Sequence, residues 1–233
     1  MKKIGLVGGT GPESTLMYYK ELNTRIDQLT DGQEMPDLSI ESVNFHKAWE
    51  LVTAAQYDVL TDYLAEKIKH LVEGGAEVVS LTAATMHIVY DKLLEKVDTP
   101  LVSIPGAVSD ACVDRGYRKV GLLGTIFTME QDYMKKPLWE AGIEVCIPEK
   151  EDRELIARRI YEELERGIVK DTTLAEFQKI IEKMRTENGI EAVILGCTEL
   201  PLLLNPDNCP LPCLDSVEIH IQKLIDLAMK YGG

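Results

Sequence analysis

The chain repeats itself at half its length. Lys2-Lys3-Ile4-Gly5-Leu6-Val7-Gly8 returns as Arg118-Lys119-Val120-Gly121-Leu122-Leu123-Gly124. Gly75-Ala76-Glu77-Val78-Val79-Ser80-Leu81 returns as Gly189-Ile190-Glu191-Ala192-Val193-Ile194-Leu195. Residues 38–44 have a counterpart in 143–148, and residues 100–104 in 211–215. The offset is 116 between Lys3 and Lys119 and 114 between Gly75 and Gly189. One apolar strand can match another by chance, but four in order at nearly one offset mark a duplicated lobe.

Each copy alternates short apolar runs with helical segments. In the first, 3–7 reads as a strand and a helix follows to about residue 29, with Pro12 in its first turn, where a missing N–H costs nothing. Residues 38–44, 77–82 and 100–104 read as further strands. Leu60, Leu64, Ile68, Leu71 and Val72 recur at helical spacing over 57–72. Strands separated by helices of this length imply parallel βαβ units. The expected fold is therefore α/β: two pseudo-symmetric lobes from an internal duplication, each a parallel sheet flanked by helices. Lobe one takes 1–104 plus 216–233 and lobe two 105–215, with a last helix from about Ser216 to Tyr231. Ligands of open α/β sheets bind beyond the carboxyl ends of the strands. The expected active site is thus a cleft between the lobes, lined by 8–14, 44–46, 82–87, 124–128 and 196–199.

Charge narrows the function. Of 233 residues, 25 are Lys or Arg and 39 Asp or Glu, a formal net charge of −14. A nucleic-acid or anionic-membrane surface needs a basic face, so neither partner is expected. The first apolar run, Ile4-Gly5-Leu6-Val7, is too short for a signal segment, and no run approaches a membrane span. These features read as a soluble cytoplasmic protein. The five cysteines are odd in number, which fits free thiols better than a disulfide framework. Cys209 and Cys213 are interleaved with prolines and read as structural thiols, with no metal site expected.

The third strand of each copy ends in a polar cluster. It reads Gly196-Cys197-Thr198-Glu199 in the second and Thr82-Ala83-Ala84-Thr85-Met86-His87 in the first. The repeat pairs Ala83 with Cys197, Ala84 with Thr198 and Thr85 with Glu199. Thr10 lies in a glycine-rich strand-to-helix turn suited to an anion. That turn, Gly8-Gly9-Thr10-Gly11, lacks the dinucleotide fingerprint.

With these residues in view, the sequence resembles the aspartate/glutamate racemase superfamily, in particular its aspartate racemase and broad-specificity amino-acid racemase branch. The resemblance is carried by 8–15, Ser42-Val43-Asn44-Phe45-His46, Thr85-Met86-His87, Leu123-Gly124-Thr125, Thr128-Met129-Glu130, Tyr161-Glu162-Glu163-Leu164 and, most specifically, Leu195-Gly196-Cys197-Thr198-Glu199. It implies an amino-acid racemase that needs no cofactor, acts on a small amino acid or related carboxylate, and forms a homodimer. Two acid/base groups, typically both cysteines, work on opposite faces of the substrate α-carbon. Cys197 matches the second.

The first position departs from the family, because Ala83-Ala84-Thr85 stands where Cys-Asn-Thr is usual. Alanine has no ionisable group. Three readings follow: another first-lobe group such as Thr82, Thr85 or His87 carries the proton, the enzyme is a one-thiol lyase or isomerase, or the cleft only binds its ligand. The resemblance assigns Thr85 and Thr198 to the α-carboxylate, the alternative for each being a helix cap. Thr10, His46, Ala83, Ala84, His87, Thr125 and Glu199 complete the expected substrate contacts, with Glu199 orienting Cys197 or capping its helix. Arg158, Arg159 and Glu162 read as a mostly solvated helical face. An acid, Glu165, stands about where dicarboxylate-specific relatives have a lysine. Aspartate or glutamate would then need Lys47 or Arg159, and a neutral amino acid fits as well.

Overall fold

A computed structural model describes residues 1–230. In chain order it places β1 (Ile4–Gly8), α1 (Pro12–Leu29), β2 (Leu38–Ser42), α2 (Phe45–Thr53), α3 (Tyr57–Glu73), β3 (Val78–Leu81), α4 (Tyr90–Leu94) and β4 (Leu101–Val102). The second half follows with α5 (Ile104–Asp114), β5 (Lys119–Leu123), α6 (Ile126–Glu130), α7 (Lys136–Glu140), β6 (Glu144–Cys146), α8 (Lys150–Glu162), α9 (Asp171–Asn188), β7 (Ala192–Leu195), β8 (Cys213–Asp215) and α10 (Ser216–Met229). Short 3-10 segments sit at Ala84–Val89, Leu164–Arg166 and Leu200–Leu202.

The duplication read in the sequence is a duplication of topology. One sheet has the order β2-β1-β3-β4 and the other β6-β5-β7-β8. Every pairing in both is parallel. β1, β3 and β7 are buried along their whole length, as interior strands of a parallel sheet covered on both faces must be. The match extends to packing. A Cβ on Gly5 would come within 2.8 Å of Ala76 Cβ and 3.1 Å of Leu71 Cβ, and one on Gly121 within 2.8 Å of Ile190 Cδ1 and 3.1 Å of Met184 Cε. Each half thus presses a helix against a bare glycine in its central strand.

Two compact units result: residues 1–103 with the chain from His220, and residues 104–219. Ile104 and residues 216–219, expected in the first lobe, group with the second unit. Ile104 opens α5, whose Ser109 hydroxyl donates to the Pro137 carbonyl of α7 at 2.9 Å. Ser216 donates to Leu195 O at 2.7 Å. The expected helix end at Tyr231, and the placement of 231–233, lie outside the described residues. The second unit's core sets Ile156 and Ile160 of α8 and Phe177, Ile180, Ile181 and Met184 of α9 against Leu123, Val193 and Leu195.

In the first unit, α10 delivers a buried histidine. Tyr18 Oη lies 2.6 Å from His220 Nδ1, Ser80 Oγ lies 2.9 Å from Nε2, and Val102 O lies 3.2 Å from Nε2. A proton on Nε2 satisfies every partner: Nε2 donates to Val102 O, Tyr18 donates to Nδ1, and Ser80 donates to Val102 O at 2.8 Å. Desolvation, reinforced by His87, drives the His220 pKa down to about 3, so the ring is neutral.

One expected strand ends early: the strand expected over 38–44 stops at Ser42 because Asn44 caps α2, its side chain accepting from Lys47 N at 3.2 Å. His87 lies inside the 3-10 segment Ala84–Val89. Among the described residues no helix is long and apolar enough to cross a membrane.

Candidate active site

The second unit's cluster follows β7. Gly196 N donates to Leu123 O at 2.8 Å, tying the end of β7 to β5. A side chain at Gly196 would meet that carbonyl and the Thr128 methyl, each at 3.0 Å. The chain then turns, and Leu200 N returns to Cys197 O at 3.3 Å. This fold-back sets two side chains together: the half-buried Cys197 Sγ donates to Glu199 Oε2 at 2.6 Å. Burial raises the thiol pKa well above its ordinary value, and the negative charges of Glu199 and Glu165 add to it. Cys197 therefore rests as a thiol, with Glu199 holding its proton.

Glu199 caps no helix through its side chain. Thr198 is half-buried in the same turn. Thr125, at the end of β5, is an N-cap: its hydroxyl accepts from Thr128 N at 3.1 Å and lies 3.0 Å from Thr128 Oγ1. That engagement ties it to α6.

The first unit gathers its residues around β1 and β3. Gly9 is left-handed at φ 84°, and a Cβ there would fall 2.4 Å from Ser42 Oγ and 2.6 Å from Val43 O. The backbone can pass there only as glycine. Thr10 follows, 9% exposed, its hydroxyl buried without a hydrogen-bond partner among the described residues. Gly11 then opens α1 with no side-chain cap and Pro12 in the first turn. A bare helix N-terminus beside an unsatisfied buried hydroxyl is a ready anion site.

Thr82 is buried. It donates to Val7 O at 3.3 Å and lies 3.3 Å from Thr15 Oγ1, which in turn accepts from Gly9 N at 3.0 Å. Thr15 was not singled out by sequence, yet it links the two strand ends. The Gly8 position beside it is the only local signal, since a Cβ there would come within 2.5 Å of the Thr15 methyl.

Ala83, Ala84 and Thr85 are half-buried after β3, and neither Thr85 nor its neighbours cap the turn with a side chain. His87 is buried, and Nδ1–H donates back to Ala83 O at 3.2 Å and Ala84 O at 3.1 Å. Burial lowers its pKa to about 4, so it is neutral near pH 7 and fastens the turn. His46 lies exposed on α2, against Phe45 at 5.7 Å. Lys47 Nζ sits 4.1 Å over the Tyr63 ring.

On α8, Arg158 and Glu162 are exposed as expected, and Arg159 is the correction. Arg159 is no solvated charge: it donates to Glu163 at 2.8 Å and to both carboxylate oxygens of Glu176 at 2.9 Å. Glu163 is buried, receiving Lys170 at 3.1 Å and Thr173 at 2.5 Å as well. The reason is tertiary. α9 packs against α8 and supplies Glu176 and Thr173, which no pattern within α8 reveals. No group of three or more His, Cys, Asp or Glu among the described residues is arranged to hold a metal.

A family model described as Asp/Glu/Hydantoin racemase matches residues 7–224. The crystal structure of an aspartate racemase homologue from Pyrococcus horikoshii is 41% identical, with a TM-score of 0.89 over 99% of this chain and all of that one. A candidate Asp/Glu racemase from Yersinia pestis is 34% identical, with a TM-score of 0.94 over 99% of this chain and all of that one. A glutamate racemase from Actinobacillus pleuropneumoniae is 31% identical over 52% of this chain, a match taking in 44% of that relative's length.

Proposed function

Since the chain belongs to the Asp/Glu/Hydantoin racemase family, we propose that it is a cofactor-independent amino-acid racemase in which Cys197 carries the α-proton on one face. The observation supporting this most directly is the 2.6 Å contact of the half-buried Cys197 thiol with Glu199 at the end of β7. A racemase must remove a proton from one face of the α-carbon and return one to the other. A thiolate at Cys197 takes the α-hydrogen as a proton and becomes a thiol, the C–H electrons remaining on the substrate as a carbanion stabilised by its carboxylate. In the reverse direction the thiol delivers its proton. Glu199, by holding the thiol hydrogen, sets the direction in which Sγ presents it. In the first unit, Thr10 and the open N-terminus of α1 suit a substrate carboxylate, and Thr85 is the polar side chain of the turn that follows Ala83.

Ala83 favours a second reading. It cannot ionise, so a one-thiol lyase or isomerase on a related carboxylic acid is the alternative. The deciding experiment is α-proton exchange in D2O followed by NMR, with chirality read in parallel. Exchange with inversion is expected. Exchange with retention would assign a one-base enzyme, and absence of exchange with every amino acid would overturn the racemase reading. Cys197→Ser should abolish exchange, because a hydroxyl is a far weaker acid than a thiol. Ala83→Cys should raise inversion by about 10²–10⁴-fold, the contribution of one well-placed acid or base.

A further inference from the structure

The two halves fold back after their third strands with one geometry and fasten it differently. Met86 N returns to Ala83 O at 3.3 Å, as Leu200 N returns to Cys197 O at 3.3 Å. The offset of 114 that pairs Ala83 with Cys197 also pairs His87 with Pro201. In the second half Pro201, in the first turn of its 3-10 segment, stiffens the backbone by fixing φ. The first half has no proline there, and no side chain caps the segment that opens at Ala84. Ala83 and Ala84 offer only methyl groups.

The fastening comes from His87. Its Nδ1 lies 3.2 Å from Ala83 O and 3.1 Å from Ala84 O. Carbonyl oxygens only accept, so the ring proton sits on Nδ1 and is shared between them. The ring is 3% exposed and stacks on Tyr90, with centroids 5.7 Å apart and planes at 25°. Tyr90 Oη donates to Leu101 O at 2.6 Å, so the ring that holds the turn is itself anchored to β4. Nδ1 cannot take up a proton it already carries, and giving that proton away would strip two carbonyls of their donor.

Building on the racemase reading above, we propose that His87 is a positioning residue of the first face. Its bonds to Ala83 O and Ala84 O fix where the side chain at position 83 and the Thr85 hydroxyl stand. It carries no proton to or from the substrate.

Three substitutions separate these roles. His87→Asn places an N–H where Nδ1 stands, His87→Gln carries its N–H one carbon further out, and His87→Leu has none. None of the three ionises. α-Proton exchange in D2O is measured for each with the amino acid that the parent turns over fastest. Gln and Leu should lose about 10²-fold in kcat/KM, the cost of displacing a site group by about 1 Å. Asn should retain most of it, with the pH profile of the parent. In the Ala83→Cys background the gain from the new thiol should survive with Asn and disappear with Leu. The comparison of Asn with Gln stands even where the Leu variant does not fold, since both are neutral amides. Asn as inactive as Leu would overturn the proposal, and exchange surviving only with retention would then make His87 the proton carrier. Gln and Leu variants as active as the parent would overturn it too. If the parent exchanges no amino acid, the racemase reading fails by itself. Calorimetric titration with L-aspartate, L-glutamate, L-lysine and L-methionine then tests the turn. Binding of any of them kept by Asn and weakened by Gln upholds the positioning role, and equal binding by both, or none by the parent, refutes it.

Discussion

The acid/base character of each residue here is set by what surrounds it. Cys197 carries the same thiol as Cys112, yet Cys112 is raised to about 11 chiefly by burial, whereas Cys197 adds two carboxylates to its burial. The two buried histidines show the converse. Both have folded pKa values below the unfolded 6.5: about 3 for His220 and about 4 for His87. Below pH 6.5 the unfolded chain binds protons at these residues that the folded chain refuses, so stability is present above that pH and falls as the pH drops toward 4. Each histidine should contribute a slope of up to about 1.4 kcal/mol per pH unit in that window. Denaturant unfolding between pH 4.5 and 6.5 checks this. His220→Gln keeps a side chain able to hydrogen-bond but removes the titration, and should flatten the slope by about that amount. An unchanged slope would mean that His220 is not desolvated as the fold implies.

At the scale of elements, the two halves solve the same problem with different residues. Each central strand must end in a turn that admits a threonine methyl. Gly8 makes room for Thr15, and Gly124, with Gly196, makes room for Thr128. The threonines then diverge: Thr15 links β1 to β3 through Gly9 and Thr82, while Thr128 joins Thr125 and Tyr133, the latter at 3.0 Å. Gly8→Ala should destabilise the protein by about 1–3 kcal/mol, the usual overpacking range. Thr15→Ala in the same chain should recover part of that loss, because the nearest atoms to the new Cβ are Thr15 Cγ2 at 2.5 Å and Oγ1 at 2.9 Å. A double-mutant cycle by chemical denaturation measures the coupling, and strictly additive effects would refute the contact. The glycines were legible in the sequence as strand-end breaks. Their threonine partners were not, because a glycine shows that space is needed and not what fills it.

At the scale of the whole molecule, the chain's last helix completes its first unit. Lys2 N donates to Ala228 O at 2.8 Å, and α10 buries His220, Ile221, Leu224, Ile225 and Ala228 in that unit. Burying an apolar side chain of this size is worth about 1.5–3 kcal/mol, so losing several exceeds the margin of an ordinary domain. A chain ending at Asp215 should lose amide protection in β1 and β3 while β5 and β7 keep theirs, as read by hydrogen exchange. Equal protection in both sheets would show that the first unit does not depend on α10.

The sequence by itself determined the duplication, the parallel sheet of each half, the family and the strand end that bears Cys197. Those properties are written in local periodicity and in residues adjacent along the chain. Only the tertiary structure decided the rest. Tyr18 and His220 meet across 202 positions and Ser80 and His220 across 140. Arg159 is held by α9, and the Glu165 charge adds to the rise of the Cys197 thiol from a different turn. Burial and charge act through space, and the fold alone sets which residues lie near one another there.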